Sequence, residues 1–250
     1  MLEATNIHDI IIQLDAIIHW CRQHQHRNGY FATLYKHMTL AVKRGIEKGL
    51  FDDGPRMERL MVIFANRYLS AWEAYNNNQP CTNAWCATFD ASQQNDLVVL
   101  QHLLLGINTH INLDLGIAAA QTVSGDQIHE MQADFDRINE VIASLMENMQ
   151  AALAKIWFPL RFLQKITNKR EEAVLNFSLS TARKTAWANA LTFSMLNDKM
   201  DAEHLNIVDQ KVVGIAKRII NPGMRLQFIL RPVVWMESKD ISQNIDILNE

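Results

Sequence analysis

The chain has 250 residues, 48% of them hydrophobic and 20% charged, and a net charge of −3. That length and composition suit a globular protein with a substantial core. The small basic clusters, Lys43-Arg44 and Lys169-Arg170, are flanked by acids, which argues against nucleic acid as a partner.

The first segment, MLEATNIHDIIIQLDAIIHW, lacks a basic start, and Asp9 and Asp15 interrupt its apolar residues, so it does not read as a secretory signal. It predicts a helix over 6–27 instead, with Asn6 as N-cap and Ile7, Ile10, Ile11, Leu14, Ile17 and Ile18 near helical spacing. Asn28-Gly29 is expected to close it. A second helix is expected over 30–48, ended by Gly49, and a third over 56–75 with Met57, Leu60, Met61, Phe64, Tyr68 and Ala71 on one face. The stretch 76–90 holds Asn76-Asn77-Asn78-Gln79-Pro80 and reads as the longest loop. Cys81 and Cys86 within it lack zinc-site spacing, and with Cys21 they are expected to be reduced structural thiols. Helices follow over 95–121, 127–155, 170–197 and 201–220, with Pro159 interrupting the second of these. Arg231-Pro232 is expected to break the chain before a terminal helix near 239–249. The expectation is an all-α fold, a single domain over 1–250 with about eight helices around a central apolar one. No uncharged apolar run of membrane-spanning length occurs, so a cytoplasmic protein without a membrane span is expected.

The central segment, Leu97 to Ala120, carries what chemistry the sequence offers. Gln101, His102, Asn108, Thr109, His110, Asn112 and Asp114 sit inside a strongly apolar stretch. A polar group taken out of water costs a few kcal/mol unless paired, so these residues either form a buried network or line a site. His110 and Asp114 are four apart and share a helix face, as do Asn108 and Asn112. An Asp so placed orients a histidine as acid–base, or the two ligate a metal together. Gly106 leaves room for another group to approach. Asp114 and Asp134 are each about ten residues from the turn near 124, so the next helix, folding back, is expected to bring Asp134 to His110 and Asp114. Arg67 and Arg183 are candidate partners for these carboxylates.

Three readings stay open for this cluster. One is a small-molecule site, catalytic or binding, with His110 and Asp114 at its centre and Asn108, Asp134, Arg67, His102 and Asn112 around them. The second is a structural or interaction protein in which they form a hydrogen-bond network. The third is a metal-dependent hydrolase using His110, Asp114 and Asp134. His19, His24 and His26 lack a neighbouring carboxylate and do not read as a metal site. HExxH, ExxH, GxSxG and the phosphate-cradling glycine motifs are absent. The sequence leaves any cofactor unknown. Its partners are a possible small molecule and a possible second copy of the chain.

The run GINTHINLDLGIA at 106–118 resembles the signature G-x-N-A-H-I-x-x-D-L of a family of helical, mostly bacterial proteins of unknown function. LYKHMT at 34–39, LFDDGPRMERLMVIFANRYLSAW at 50–72 and DFDRIN at 134–139 are similar to it as well, and the likeness spans roughly 28–235. Thr109 stands where the family pattern has Ala. The resemblance implies a helical fold and Gly106, Asn108, His110 and Asp114 as a signature set. It implies no activity.

Overall fold

A computed structural model describes residues 2–123, 125–156, 170–196 and 198–250. Eleven α-helices occur among them: α1 Ile7–Gln23, α2 Asn28–Glu47, α3 Gly54–Asn76, α4 Asn83–Ala91, α5 Val99–Thr109, α6 Leu115–Thr122, α7 Gln132–Ile156, α8 Arg170–Met195, α9 Asp198–Ile220, α10 Met224–Met236 and α11 Ile241–Asn249. A π-helical turn, His110–Asp114, joins α5 to α6, and a 3-10 helix, Gly125–Met131, precedes α7. No strand occurs among the described residues.

Local chemistry explains most of the boundaries. The Asn6, Asp53, Thr82 and Asp240 side chains accept from the backbone N–H three residues on, capping α1, α3, α4 and α11. Gly49 ends α2 in the left-handed region at φ 67°. The apolar faces expected of α1 and α3 are the faces that go into the core.

Four local expectations are corrected. Asn28-Gly29 opens α2 rather than closing α1, whose chain reverses at Gln25 (φ 51°). The glycine is needed for packing: a Cβ at Gly29 would lie 2.6 Å from Ile245 and 2.8 Å from Cys21. The supposed loop 76–90 contains α4, so the connection shrinks to 77–82. Cys81 and Cys86 form a disulfide, with Cα atoms 6.2 Å apart, bracketing the start of α4. Pro232 sits inside α10 instead of breaking the chain. The count rises from about eight because α4 and α10 were not foreseen and the π turn divides the central helix. The break expected at Pro159 lies outside the described residues.

The rod α5–π turn–α6 is the axis of the fold. Helices α2, α3, α4, α8 and α9 all pack on it. Gly106 accepts the Phe31 ring of α2, and Gly116 lies against the α8 backbone at Ala186. Val99–Thr122 is long and apolar enough to cross a membrane, yet 72% of its most apolar window is buried inside the protein. At the far end, α10 leaves Met224, Phe228, Trp235 and Met236 exposed.

Candidate functional site

Most of the polar residues of the central rod are spent on helix register. Gln101 accepts from the Val98 N–H at its own N-cap (3.1 Å) and donates to the Ile219 carbonyl of α9 (2.7 Å). Asn108 donates to the Val212 carbonyl of α9 (3.1 Å), and its oxygen accepts from Asn112 (3.0 Å). The Thr109 hydroxyl pairs with that of Thr88 on α4 at 2.7 Å. Asn108 and Asn112 therefore tie the rod to α9, and the structure does not bring them into a site with His110.

His110 and Asp114 are different. Both lie in the π turn, closed by the Leu115 N–H bonding to the His110 carbonyl. They are 3% and 1% exposed. Asp114 takes three donors: Arg67 Nε on Oδ1 at 2.9 Å, and Trp85 Nε1 (2.9 Å) and His110 Nδ1 (3.1 Å) on Oδ2. Because the carboxylate only accepts, His110 carries its proton on Nδ1, and Nε2 presents a lone pair. That Nε2 is buried with no hydrogen-bond partner. Burial holds the His110 pKa below its ordinary value, against the opposing pull of the Asp114 hydrogen bond. The imidazole is thus neutral at neutral pH.

Aromatic rings fix its orientation. Phe64 stacks on the imidazole with centroids 3.6 Å apart and planes 8° from parallel. Tyr35 meets it edge-on at 4.4 Å, and Phe31 at 5.7 Å. The Tyr35 hydroxyl is also buried without a partner, and burial raises its pKa well above the usual phenol value, so it remains a phenol.

Two hollows meet at this pair. On the His110 side is an apolar cavity of about 80 Å³ between α2, α3 and the rod, lined by Leu34, Tyr35, Met61, Phe64, His110 and Arg183 among others. On the Asp114 side is an open cleft of about 780 Å³ whose lining includes Arg67, Asn66, Cys81, Trp85 and Gln121. The chain Arg67–Asp114–His110 therefore runs from the solvent-facing cleft to an imidazole that borders the apolar cavity and whose Nε2 is unpartnered. Chemically, the Nε2 lone pair accepts a hydrogen bond, or takes a proton and leaves an imidazolium facing Asp114.

Asp134 is not part of this arrangement, which corrects the expectation of a His110–Asp114–Asp134 cluster. Its fully buried carboxylate accepts from the Asp52 N–H (2.7 Å), the Asp53 N–H (3.0 Å), Arg56 (3.0 Å) and Arg137 (3.0 Å). Burial opposes its charge, but these donors more than compensate, and its pKa stays below the ordinary carboxylate value. It locks α7 onto the start of α3. Equal distance from a turn fixes height along a helix, whereas rotation about the axis decides what a side chain meets. The three-residue metal set consequently does not assemble, and no group of three metal-ligating side chains occurs among the described residues.

His102 lies apart too, in a small space of about 10 Å³ with Asn28, Tyr68 and Thr88 among its walls. Its Nε2 has no partner, and burial pushes its pKa down to about 3. Arg183 forms no ion pair with a described carboxylate. It reaches the cavity, its guanidinium 4.5 Å over the Phe135 ring. Sequence reasoning left out Phe64 and Trp85. Helical spacing marked Phe64 as a core position, a signal any core aromatic shares, and Trp85 stood in the stretch expected to be a loop.

Residues 7–222 match the model of a family described as a family of unknown function, DUF5995. The match begins earlier than the likeness read from the motifs and ends before α10. No curated protein matches the chain, and no solved structure does.

Proposed function

The chain belongs to this family of unknown function, and from that premise we propose that it holds a small, largely apolar molecule in the cavity beside His110. Nε2 serves as hydrogen-bond acceptor, and as general base where the molecule carries an acidic O–H or C–H group. One observation carries the reading: a buried imidazole that borders a cavity, its Nδ1 proton committed to Asp114 and its Nε2 without a partner. An unpaired buried acceptor costs about 1–3 kcal/mol. A network evolved only for register has no use for that cost, and the neighbouring ties of Gln101, Asn108 and Thr109 leave none. Asp114 orients the ring and stabilises positive charge on it.

Nitrogen NMR of histidine-labelled protein tests this. The expected result is the Nδ1–H tautomer of His110 at pH 7.5, with the Nε2 resonance moving when a bound molecule from a library of small apolar alcohols and acids raises Tm. Observation of the Nε2–H tautomer, or of binding unaffected by His110→Gln, would defeat the proposal. For location, the Cys81–Cys86 disulfide supports a compartment or redox cycle in which such a bond persists, in preference to a reducing cytoplasm.

A further inference from the structure

Arg183 says what kind of molecule the cavity takes. It stands on α8 with 4% of its surface exposed and borders the same cavity as His110 and Tyr35. One terminal nitrogen donates to the Phe135 carbonyl, while Nε is buried with no partner. No described carboxylate comes within ion-pair distance, and Asp136 acts on it only through its field. Among the described residues Arg183 thus has no paired counter-charge; a buried cation in that position costs several kcal/mol, and a single anion bound beside it removes that cost.

The remaining walls are apolar, and the hollow is small. At roughly 10–15 Å³ for each water-sized position, 80 Å³ holds about five to eight non-hydrogen atoms. A singly charged head neutralises Arg183 one for one, and a dianion would leave a buried negative charge over. We infer that the cavity binds a short, branched or straight-chain monocarboxylate. Its head is held by Arg183 Nε with the Tyr35 hydroxyl as second donor, and its tail lies among Leu34, Met61 and Phe64. A neutral His110 cannot donate to that head, so its Nε2 is left for a hydroxyl carried by the same molecule. The hydroxy acid is thus the fuller ligand and the plain acid the minimal one. This inference rests on the reading of the cavity as a ligand site.

The test uses three probes of one shape on the full chain, by titration calorimetry and thermal shift: 3-methylbutanoate, 2-hydroxy-3-methylbutanoate and 3-methylbutan-1-ol. The acid is expected to bind at least about tenfold more tightly than the alcohol, as a charge-assisted bond to Arg requires, and the hydroxy acid more tightly still. Arg183→Met should erase the preference for the acid and leave the alcohol's affinity in place, while Arg183→Lys should keep part of the preference. Should Arg183→Met fail to fold, the acid–alcohol comparison on the unaltered chain decides. An alcohol that binds as well as the acid, with affinity lost in His110→Gln, would overturn the carboxylate and leave the small-molecule site standing. Absence of binding by all three overturns the carboxylate. If the wider library also gives no His110-dependent binding, the site itself falls with it.

Discussion

Replacing Asp114 with Asn keeps the shape of the side chain and removes its charge, and the cost can be worked from the geometry. The carboxylate has two accepting oxygens for three donors, Arg67 on Oδ1 and Trp85 and His110 on Oδ2. An amide has one accepting oxygen and a donating nitrogen. If the oxygen stays with Trp85 and His110, the amide N–H₂ faces the Arg67 Nε–H. If it turns to Arg67, the N–H₂ faces the Trp85 N–H, and His110 recovers a bond only by moving its proton to Nε2. Either way a buried donor loses its acceptor, at about 1–3 kcal/mol, and the surviving bonds lose their charge assistance, roughly half their strength. Arg67 is 23% exposed at its side chain, so water restores part of what it loses. The sum is a destabilisation of about 3 kcal/mol, at the low end of what breaking a buried ion pair costs.

Urea unfolding at pH 7.5, followed by tryptophan fluorescence and far-ultraviolet dichroism with matched slopes, reads that number. The network also makes a coupling prediction. Arg67→Met should cost less in the Asp114→Asn background than in the unaltered chain, because the second change removes the donor that the first left stranded. A loss under about 0.5 kcal/mol for Asp114→Asn, or additive single changes, would refute the three-donor arrangement.

Gly106→Ala sets two effects against each other. Ala favours helix by about 1 kcal/mol, but its Cβ would lie 2.2 Å from the Phe31 ring. Overpacking of an aromatic core wins, and a net loss of about 2 kcal/mol is expected in the same urea assay, so a stabilised variant would contradict the packing described. His102 has a folded pKa of about 3 against 6.5 unfolded. The folded state therefore refuses a proton that the unfolded chain accepts, and stability, complete above pH 6.5, falls as pH drops from there toward 3. His102→Gln should flatten that fall by up to about 1.4 kcal/mol per pH unit, and an unchanged slope would show that His102 is not the group responsible. Cys86→Ser opens the five-residue Cys81–Cys86 link and should cost about 2 kcal/mol by loop entropy. Reductant should lower the stability of the unaltered chain by the same amount and leave the variant unmoved.

How far the sequence led depends on the range of the forces involved. The cap at Asn6 and the apolar faces of α1 and α3 are local, and they appear where the sequence places them. Asn28-Gly29 carries a stop signal that tertiary packing overrides, because Ile245 and Cys21 need the space of a missing side chain. Helix α4 is nine residues long and hidden behind a turn-rich run, and its supports, the Thr82 cap and the disulfide, are visible only in three dimensions. The His110–Asp114 contact was legible because four residues separate them. The cavity, the stacked Phe64 and Arg183, which has no carboxylate partner among the described residues, come from α2, α3 and α8, whose rotations relative to the rod no sequence period encodes.

The π turn binds these facts together. A five-residue turn inside an otherwise regular α-rod disturbs the backbone ladder, and such turns recur at functional sites. Here its limits are His110 and Asp114 themselves. The turn presents the imidazole to the apolar cavity and the carboxylate to the Arg67 cleft, with one hydrogen bond between them. A rod meant only for packing needs no such interruption, since Gln101, Asn108 and Thr109 tie regular α-helix to α9 and α4. The irregular turn and the unpartnered Nε2 are therefore two costs at one place, and the molecule proposed for the cavity would offset the second by donating to Nε2.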